Sequence, residues 1–203
     1  MKIVMGRRSQ NAFSAQELLD MHRLRHDVFR DRLQWAVNTE DGCERDGFDE
    51  LDPVYMIVKG DDDRVCGCWR LLPSMGPYMM KDTFPQTLQG HSAPTLPTVW
   101  ELSRFALSQH CGAAHRFCDL ALAMMEAVVA HGLREGIDCY VTVTTTAIER
   151  LMRGLGIRMQ RMGEPVQIGI EKTVALRLAV DHATWDQLRL RRQATAEPMP
   201  LAA

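Results

Sequence analysis

Residues 139–145 read CYVTVTT, an uncharged run dominated by β-branched residues. Such a strand offers no polar face to water. It fits the middle of a sheet covered on both faces, as parallel strands are. The flanking segments supply the cover. Upstream, HRFCDLALAMMEAVVAHGLREG repeats its apolar residues at helical spacing and stops at Gly136, suited to the left-handed conformation that closes helices. Downstream, TAIERLMRGLG reads as a short helix ending near Gly154 or Gly156.

The rest of the chain extends this pattern. SAQELLDMHRLRHDVFRDRL opens with Ser14 and Glu17 at capping-box spacing, which predicts a helix over 14–32. DPVYMIVKG and RVCGCWRLLP read as strands joined by the acidic turn Gly60-Asp61-Asp62-Asp63. Residues 76–98 carry four prolines and predict an irregular segment with short helical turns at most. VWELSRFAL is the next strand, and QRMGEPVQIG and KTVALRLAV complete the sheet. DHATWDQLRLRRQ is a last helix opened by Asp181, and residues 194–203 read as a frayed tail. The expected fold is α/β: a three-layer α/β/α sandwich around one mixed, mostly antiparallel sheet, N-acetyltransferase-like, formed by residues 1–203 as a single domain.

Composition excludes several classes. No apolar run approaches the roughly 18 residues of a membrane span, and MKIVMGRRSQ lacks a signal-peptide core, so a cytoplasmic location is expected. Basic residues are neither abundant nor interleaved with aromatics, which argues against nucleic acid. Six cysteines are scattered without a C-x-x-C pair, and the spacing of Cys111 and Cys118 with His110 and His115 fits no common zinc pattern. Reduced, buried thiols and no metal are expected. Cys66 and Cys68, two apart in a strand, should share one face.

Charge is uneven. Residues 40–52 hold seven acids (Glu40, Asp41, Glu44, Asp46, Asp49, Glu50, Asp52) against Arg45 alone, while residues 150–161 hold Arg150, Arg153, Arg158 and Arg161 without an acid. Solvated faces explain many of these, but they also suit a cation-receiving region and an anion-receiving patch. Within VWELSRFAL, period-two alternation puts Val99, Glu101, Ser103 and Phe105 on one face, and Trp100, Leu102, Arg104 and Ala106 on the other. Charges in such a strand need partners. Arg25 on the first helix, Asp46 and Asp49 in ERDGFD, and Arg70 in GCWR are similarly embedded. Singly, each has a plain structural explanation, as a helix-face arginine, a turn cap or a cross-strand ion pair.

Together these residues resemble a known pattern. LRHDVFRDRLQW (Arg25, Phe29, Trp35), ERDGFD (Asp46, Asp49), GCWRLL (Arg70) and WELSRFA (Glu101, Arg104) match, residue by residue, the acyl-homoserine-lactone synthases, the LuxI-type autoinducer synthases of quorum sensing. GPYMMKDTFP and VTVTT add further likeness, which runs from about residue 2 to about residue 180.

The resemblance implies a transferase. It would pass an acyl chain from acyl carrier protein, or in some members coenzyme A, to the amine of S-adenosylmethionine. Lactonisation then releases methylthioadenosine. S-adenosylmethionine is a substrate, so no cofactor is implied. Its sulfonium, ammonium and carboxylate call for anions, a cation and an aromatic surface. Asp46 and Asp49 can supply the field, Arg25 and Arg104 can grip a carboxylate, and Arg70 can brace the acidic loop. Phe29 and Trp35 can cover a sulfonium, each contact worth about 0.5–2 kcal/mol. Glu101 is the candidate general base, with Ser103 to orient a water. Met79, Met125, Thr142 and Met152 are expected along an acyl tunnel, where the Thr142 hydroxyl would suit a chain oxygen on the third carbon. Arg150, Arg153 and Arg158 are expected to dock the acidic carrier. Two other readings share the fold. A coenzyme A-dependent N-acyltransferase would need a Q/R-x-x-G-x-G/A turn, which neither RGLGIR nor QRMGEP provides. A non-catalytic ligand-binding domain would leave these residues expendable.

Overall fold

The computed structural model describes residues 1–109 and 114–196. The largely apolar runs Val54–Lys59 (β4) and Val65–Pro73 (β5) form an antiparallel hairpin, flanked on one side by Lys2–Gly6 (β1) and on the other by Val99–Leu107 (β6). Cys139–Thr145 (β7), Glu171–Ala179 (β10) and Met159–Arg161 (β8) continue the sheet in the order β1-β4-β5-β6-β7-β10-β8, with Val166–Ile168 (β9) pairing the start of β10. Among the described residues β6–β7 is the parallel pair, and every other pairing is antiparallel. A two-stranded ribbon, Thr39–Glu40 (β2) with Cys43–Glu44 (β3), stands apart. Neither β1 nor this ribbon was expected from the pattern; both are too short to show a period of their own.

One face of the sheet carries Ala114–Glu135 (α3) and His182–Ala196 (α5), which bury Leu102, Met125, Tyr140, Met152 and Leu176. Against the other face lies Ala15–Arg25 (α1), opened by the capping box of Ser14 and Glu17 and burying Met21 and Leu24 with Tyr55 and Ile57. The helix runs on through His26–Arg32 in π geometry, so the segment expected as one helix is continuous but changes its winding. Met79–Asp82 (α2) and a 3₁₀ turn at Pro85–Leu88 punctuate the irregular segment, and Thr146–Gly154 (α4) follows β7. The expected sandwich is therefore present. Asp181 caps α5 through the Thr184 N–H at 2.6 Å. That helix continues to Ala196, so residues 194–196 are helical rather than frayed, and 197–203 lie outside the described residues.

Two bulges break the expected alternation. In β6, Ser103 pairs Arg70 and Ala106 pairs Cys68, so one extra residue is inserted, and Arg104 takes a left-handed φ of 59°. Arg104 thereby joins Ser103 on the α1 side, while Phe105 turns to the α3 side against Trp69. The assignment of Arg104 to the Leu102 face and Phe105 to the Ser103 face is corrected by this insertion. A second shift, at the Val58–Lys59 register, sends Cys66 to the α3-side core and Cys68 to the α1-side core, rather than both to one face. Cys43, Cys68, Cys118 and Cys139 are free thiols; His110 and Cys111 lie outside the described residues. Among the described residues, no helix is long and apolar enough to cross a membrane.

Candidate active site

β6 and β7 pair only over Val99–Glu101 with Cys139–Val141. Beyond Glu101 the strands part, and the sheet opens. Two features meet at this opening.

The first is a charged cluster on the α1 side. Arg25, at the end of α1, donates Nε to Glu44 at 2.5 Å and both terminal nitrogens to Asp49 at 2.8 and 2.9 Å. Arg70, on β5, clamps Asp46 at 2.5 and 3.0 Å, reaches Asp49 at 2.9 Å and donates Nε to the Ser103 hydroxyl at 3.2 Å. Arg104, released by its bulge, holds Glu44 at 2.9 Å and Asp46 at 2.7 Å. Tyr55 donates its hydroxyl to Asp49 at 2.7 Å. Three guanidiniums thus face three carboxylates, which is how so much charge can be buried. The loop holds itself: Asp46 caps the 3₁₀ turn Gly47–Leu51, and Asp49 returns a bond to the Asp46 N–H at 2.9 Å. Burial pushes Asp49 upward, but Arg25 and Arg70 outweigh it and hold its carboxyl well below the usual range. Burial likewise pushes Asp46 upward, but Arg70 and Arg104 outweigh it and hold this carboxyl low as well.

This arrangement changes two expected roles. Arg25 is fully buried with every donor group committed to Glu44 and Asp49, so in this conformation it reaches no ligand carboxylate. Its work is to fix the acidic loop against α1. Phe29 is 3% exposed, stacks on Trp35 at 5.4 Å and lies under the Arg104 guanidinium at 5.3 Å. A protein cation already occupies the place expected for a sulfonium. Trp35 is partly exposed.

Glu101 is 1% exposed, and its two oxygens accept the Met79 N–H at 2.9 Å and the Met80 N–H at 2.6 Å, at the start of α2. Burial pushes its carboxyl up to about 7, against those N–H groups, Arg70 and Arg104, which pull it down. Met79 is not beside the apolar slot. Its sulfur sits 3.1 Å from nitrogens of both Arg70 and Arg104, so the expected tunnel residue belongs to the charged cluster instead.

The second feature is a narrow apolar slot on the α3 side, partly open to solvent. Leu102 and Phe105 line it from β6, Thr142 and Thr144 from β7, Met125 from α3 and Met152 from α4, with Trp69 and Tyr140 among the other walls. Met125, Thr142 and Met152 therefore lie together in its walls.

The arginine-rich stretch is less basic than it reads. Glu149, one residue before it and 1% exposed, accepts Arg153 at 2.9 Å and Arg161 at 2.8 Å. Arg150 and Arg158 are exposed, and Arg158 lies close enough to Asp181 to help lower its carboxyl. Sequence reasoning also missed Glu44, Tyr55 and Trp69 as parts of the site. Glu44 had a signal: it lies two residues before Asp46, so an extended chain presents both on one side.

Comparisons with known proteins bear on the family and the fold. A family model described as autoinducer synthase matches residues 9–188. An acyl-homoserine-lactone synthase of Pseudomonas aeruginosa is 41% identical over 186 residues, 91% of this chain and 92% of the relative. The crystal structure of the AHL synthase LasI superposes with a TM-score of 0.85 at 41% identity, over 92% of this chain and 93% of that one. BjaI, a CoA-dependent acyl-homoserine lactone synthase with SAM and isopentyl-CoA, superposes at 0.84 with 27% identity, over 94% and 89% of the two chains.

Proposed function

Because the chain belongs to the autoinducer synthase family, we propose that its charged cluster and its apolar slot are the two halves of one active site. The protein is an acyl-homoserine-lactone synthase, a transferase. The amine of S-adenosylmethionine attacks an acyl thioester, forming the amide and releasing the carrier thiol. A carboxylate oxygen then attacks the carbon beside the sulfonium, closing the lactone and expelling methylthioadenosine. Ring closure is intramolecular with a neutral leaving group, so holding the bent conformer is the main demand.

One observation carries this assignment. The sheet opens immediately after Glu101, so β6 offers Glu101, Ser103 and Arg104 on the charged side and Leu102 and Phe105 to the slot. An acyl chain lying in the slot brings its thioester to the strand that carries the base. Glu101 takes the proton that the attacking amine must lose, and the Ser103 hydroxyl, held by Arg70, orients the path. Arg104 is the most exposed of the three clustered guanidiniums and is the group to meet the substrate carboxylate. When it swings out, Asp46 and the rings of Phe29 and Trp35 become available to the sulfonium and ammonium. Asp49, Arg25 and Arg70 hold that frame. Met125, Thr142 and Met152 bound the chain. No cofactor beyond the two substrates enters, and the reaction belongs in the cytoplasm.

For the donor we favour acyl carrier protein, which is strongly acidic, docking on Arg150 and Arg158 with Arg153 braced behind them; the likeness to BjaI keeps acyl-coenzyme A as the second reading. The test is incubation of purified protein with S-adenosylmethionine and matched acyl-carrier and acyl-coenzyme A series. Mass spectrometry should detect methylthioadenosine and lactone in equal amounts. Folded protein that yields neither from any donor would end the proposal.

A further inference from the structure

Trp69, one of the residues lining the slot, carries a polar atom without a partner. Trp69 is 4% exposed, and its indole Nε1 is cut off from solvent with no acceptor in reach among the described residues. A buried N–H in this state costs free energy that a plain apolar side chain would avoid. The cost is not offset nearby: the ring packs on Phe105 at 4.9 Å with a tilt of 57°, an aromatic contact without a lone pair. Trp69 precedes Arg70 on β5, so its backbone is fixed by the strand whose next residue clamps Asp46. Trp69 shares the slot with the hydroxyl-bearing Thr142 and Thr144, among walls that are otherwise mostly carbon.

Resting on the synthase reading above, we infer that the Trp69 indole N–H is a specificity-determining donor that binds an oxygen carried by the acyl chain itself, and so selects chains with a 3-oxo or 3-hydroxy group over unsubstituted chains of equal length. An unsubstituted chain leaves the N–H as unpaired in the complex as it is in the free protein. An oxygenated chain supplies the missing acceptor, and the difference between the two is the selectivity.

The test compares kcat/KM for 3-oxo and unsubstituted donors of one length in the wild type and in Trp69→Phe. The wild type should prefer the 3-oxo donor, and W69F should reduce that preference about two- to twelvefold, the range of one neutral hydrogen bond. Whatever the smaller ring costs in packing falls on both donors. An unchanged or increased ratio, or a wild type that prefers the plain chain, overturns the inference. Should W69F fail to fold, a benzothienyl-alanine at position 69 keeps the shape and lacks only the N–H, with the same expected ratio. A readout independent of turnover uses ¹⁵N-indole-labelled protein. The Trp69 indole proton should move downfield with a 3-oxo-acyl pantetheine amide and not with its unsubstituted analogue. Equal shifts from both overturn the inference, whether or not the wild type makes lactone.

Discussion

Glu44 is a carboxylate that bridges two of the three clustered guanidiniums. It is fully buried and ties α1 to β6 by accepting from Arg25 at 2.5 Å and from Arg104 at 2.9 Å. Glu44→Gln keeps the shape, removes one of three negative charges and leaves the three guanidiniums one charge in excess. Arg25 retains its two bonds to Asp49, and Arg104 retains Asp46 at 2.7 Å. Breaking a buried pair from one side costs about 3–5 kcal/mol. Because both arginines keep another anion, the low end applies, about 3 kcal/mol. For a chain of this length that lowers Tm by about 6–12 °C. Scanning calorimetry and urea unfolding followed by tryptophan fluorescence would read it, with an unchanged m-value showing that the denatured state is the same. The decisive arm is the double variant Glu44→Gln/Arg104→Gln, which restores neutrality. It should be less destabilised than the two single changes added together, by about 1–3 kcal/mol. A Tm within 2 °C of wild type for Glu44→Gln, or strict additivity in the double variant, would refute the balance-of-charge argument.

Other consequences follow from the same geometry. Glu101→Gln should lower kcat about 10²–10⁴-fold, and wild-type kcat/KM for the acyl donor at saturating S-adenosylmethionine should fall below a pH of about 7, the value to which burial lifts this carboxyl; a flat profile from pH 6 to 8 removes Glu101 as base. Its raised value also has a stability sign. Folding carries no penalty from Glu101 below its ordinary value and loses stability as pH climbs to about 7, so melting curves of wild type and variant should diverge only across that window. Met152→Trp, placed in the slot wall, should shift the product mixture to shorter chains by mass spectrometry of mixed-donor reactions; an unchanged chain profile would move the chain elsewhere. Arg150→Glu with Arg158→Glu should raise KM for a carrier-bound donor several-fold at low salt, with the effect shrinking at high salt and absent for an acyl-coenzyme A donor. Equal KM values at every ionic strength would take the docking face off these residues.

What could be read from the residues alone, and what could not, divides along physical lines. Periodicity is a local property, so the helix opened by Ser14, the β4–β5 hairpin and the uncharged strand 139–145 were all legible. The gathering of Arg25, Asp46, Asp49, Arg70 and Arg104 was reached through resemblance, since nothing local brings residues from α1, the acidic loop, β5 and β6 together. Ion pairs that cross elements stayed hidden. Glu44 read as one acid among seven, and the arginines after residue 150 read as an open patch because their neutralising partner, Glu149, falls one position before the stretch. Burial separated the roles: Arg25 and Arg104 each meet two carboxylates, yet Arg25 is fully sealed and Arg104 lies at the cluster's edge.

The bulge at Arg104 was invisible for a stronger reason, and it is also what makes the site possible. Strict alternation along β6 would point Arg104 into the α3-side core with Leu102, unpaired among apolar side chains, and would put Phe105 beside Ser103 in the charged cluster. Both placements are costly. One inserted residue, at the expense of a left-handed φ of 59° at a non-glycine position, reverses both. Arg104 then meets Glu44 and Asp46, and Phe105 becomes a wall of the slot against Trp69. The strain is held by ion pairs on one side of the strand and aromatic packing on the other. Because β7 has already parted from β6 at Glu101, the bulge meets no parallel partner to disturb. The separation of β6 from β7 and the kink in β6 are thus one device, which sets a charged surface and an oily one within a single strand's thickness.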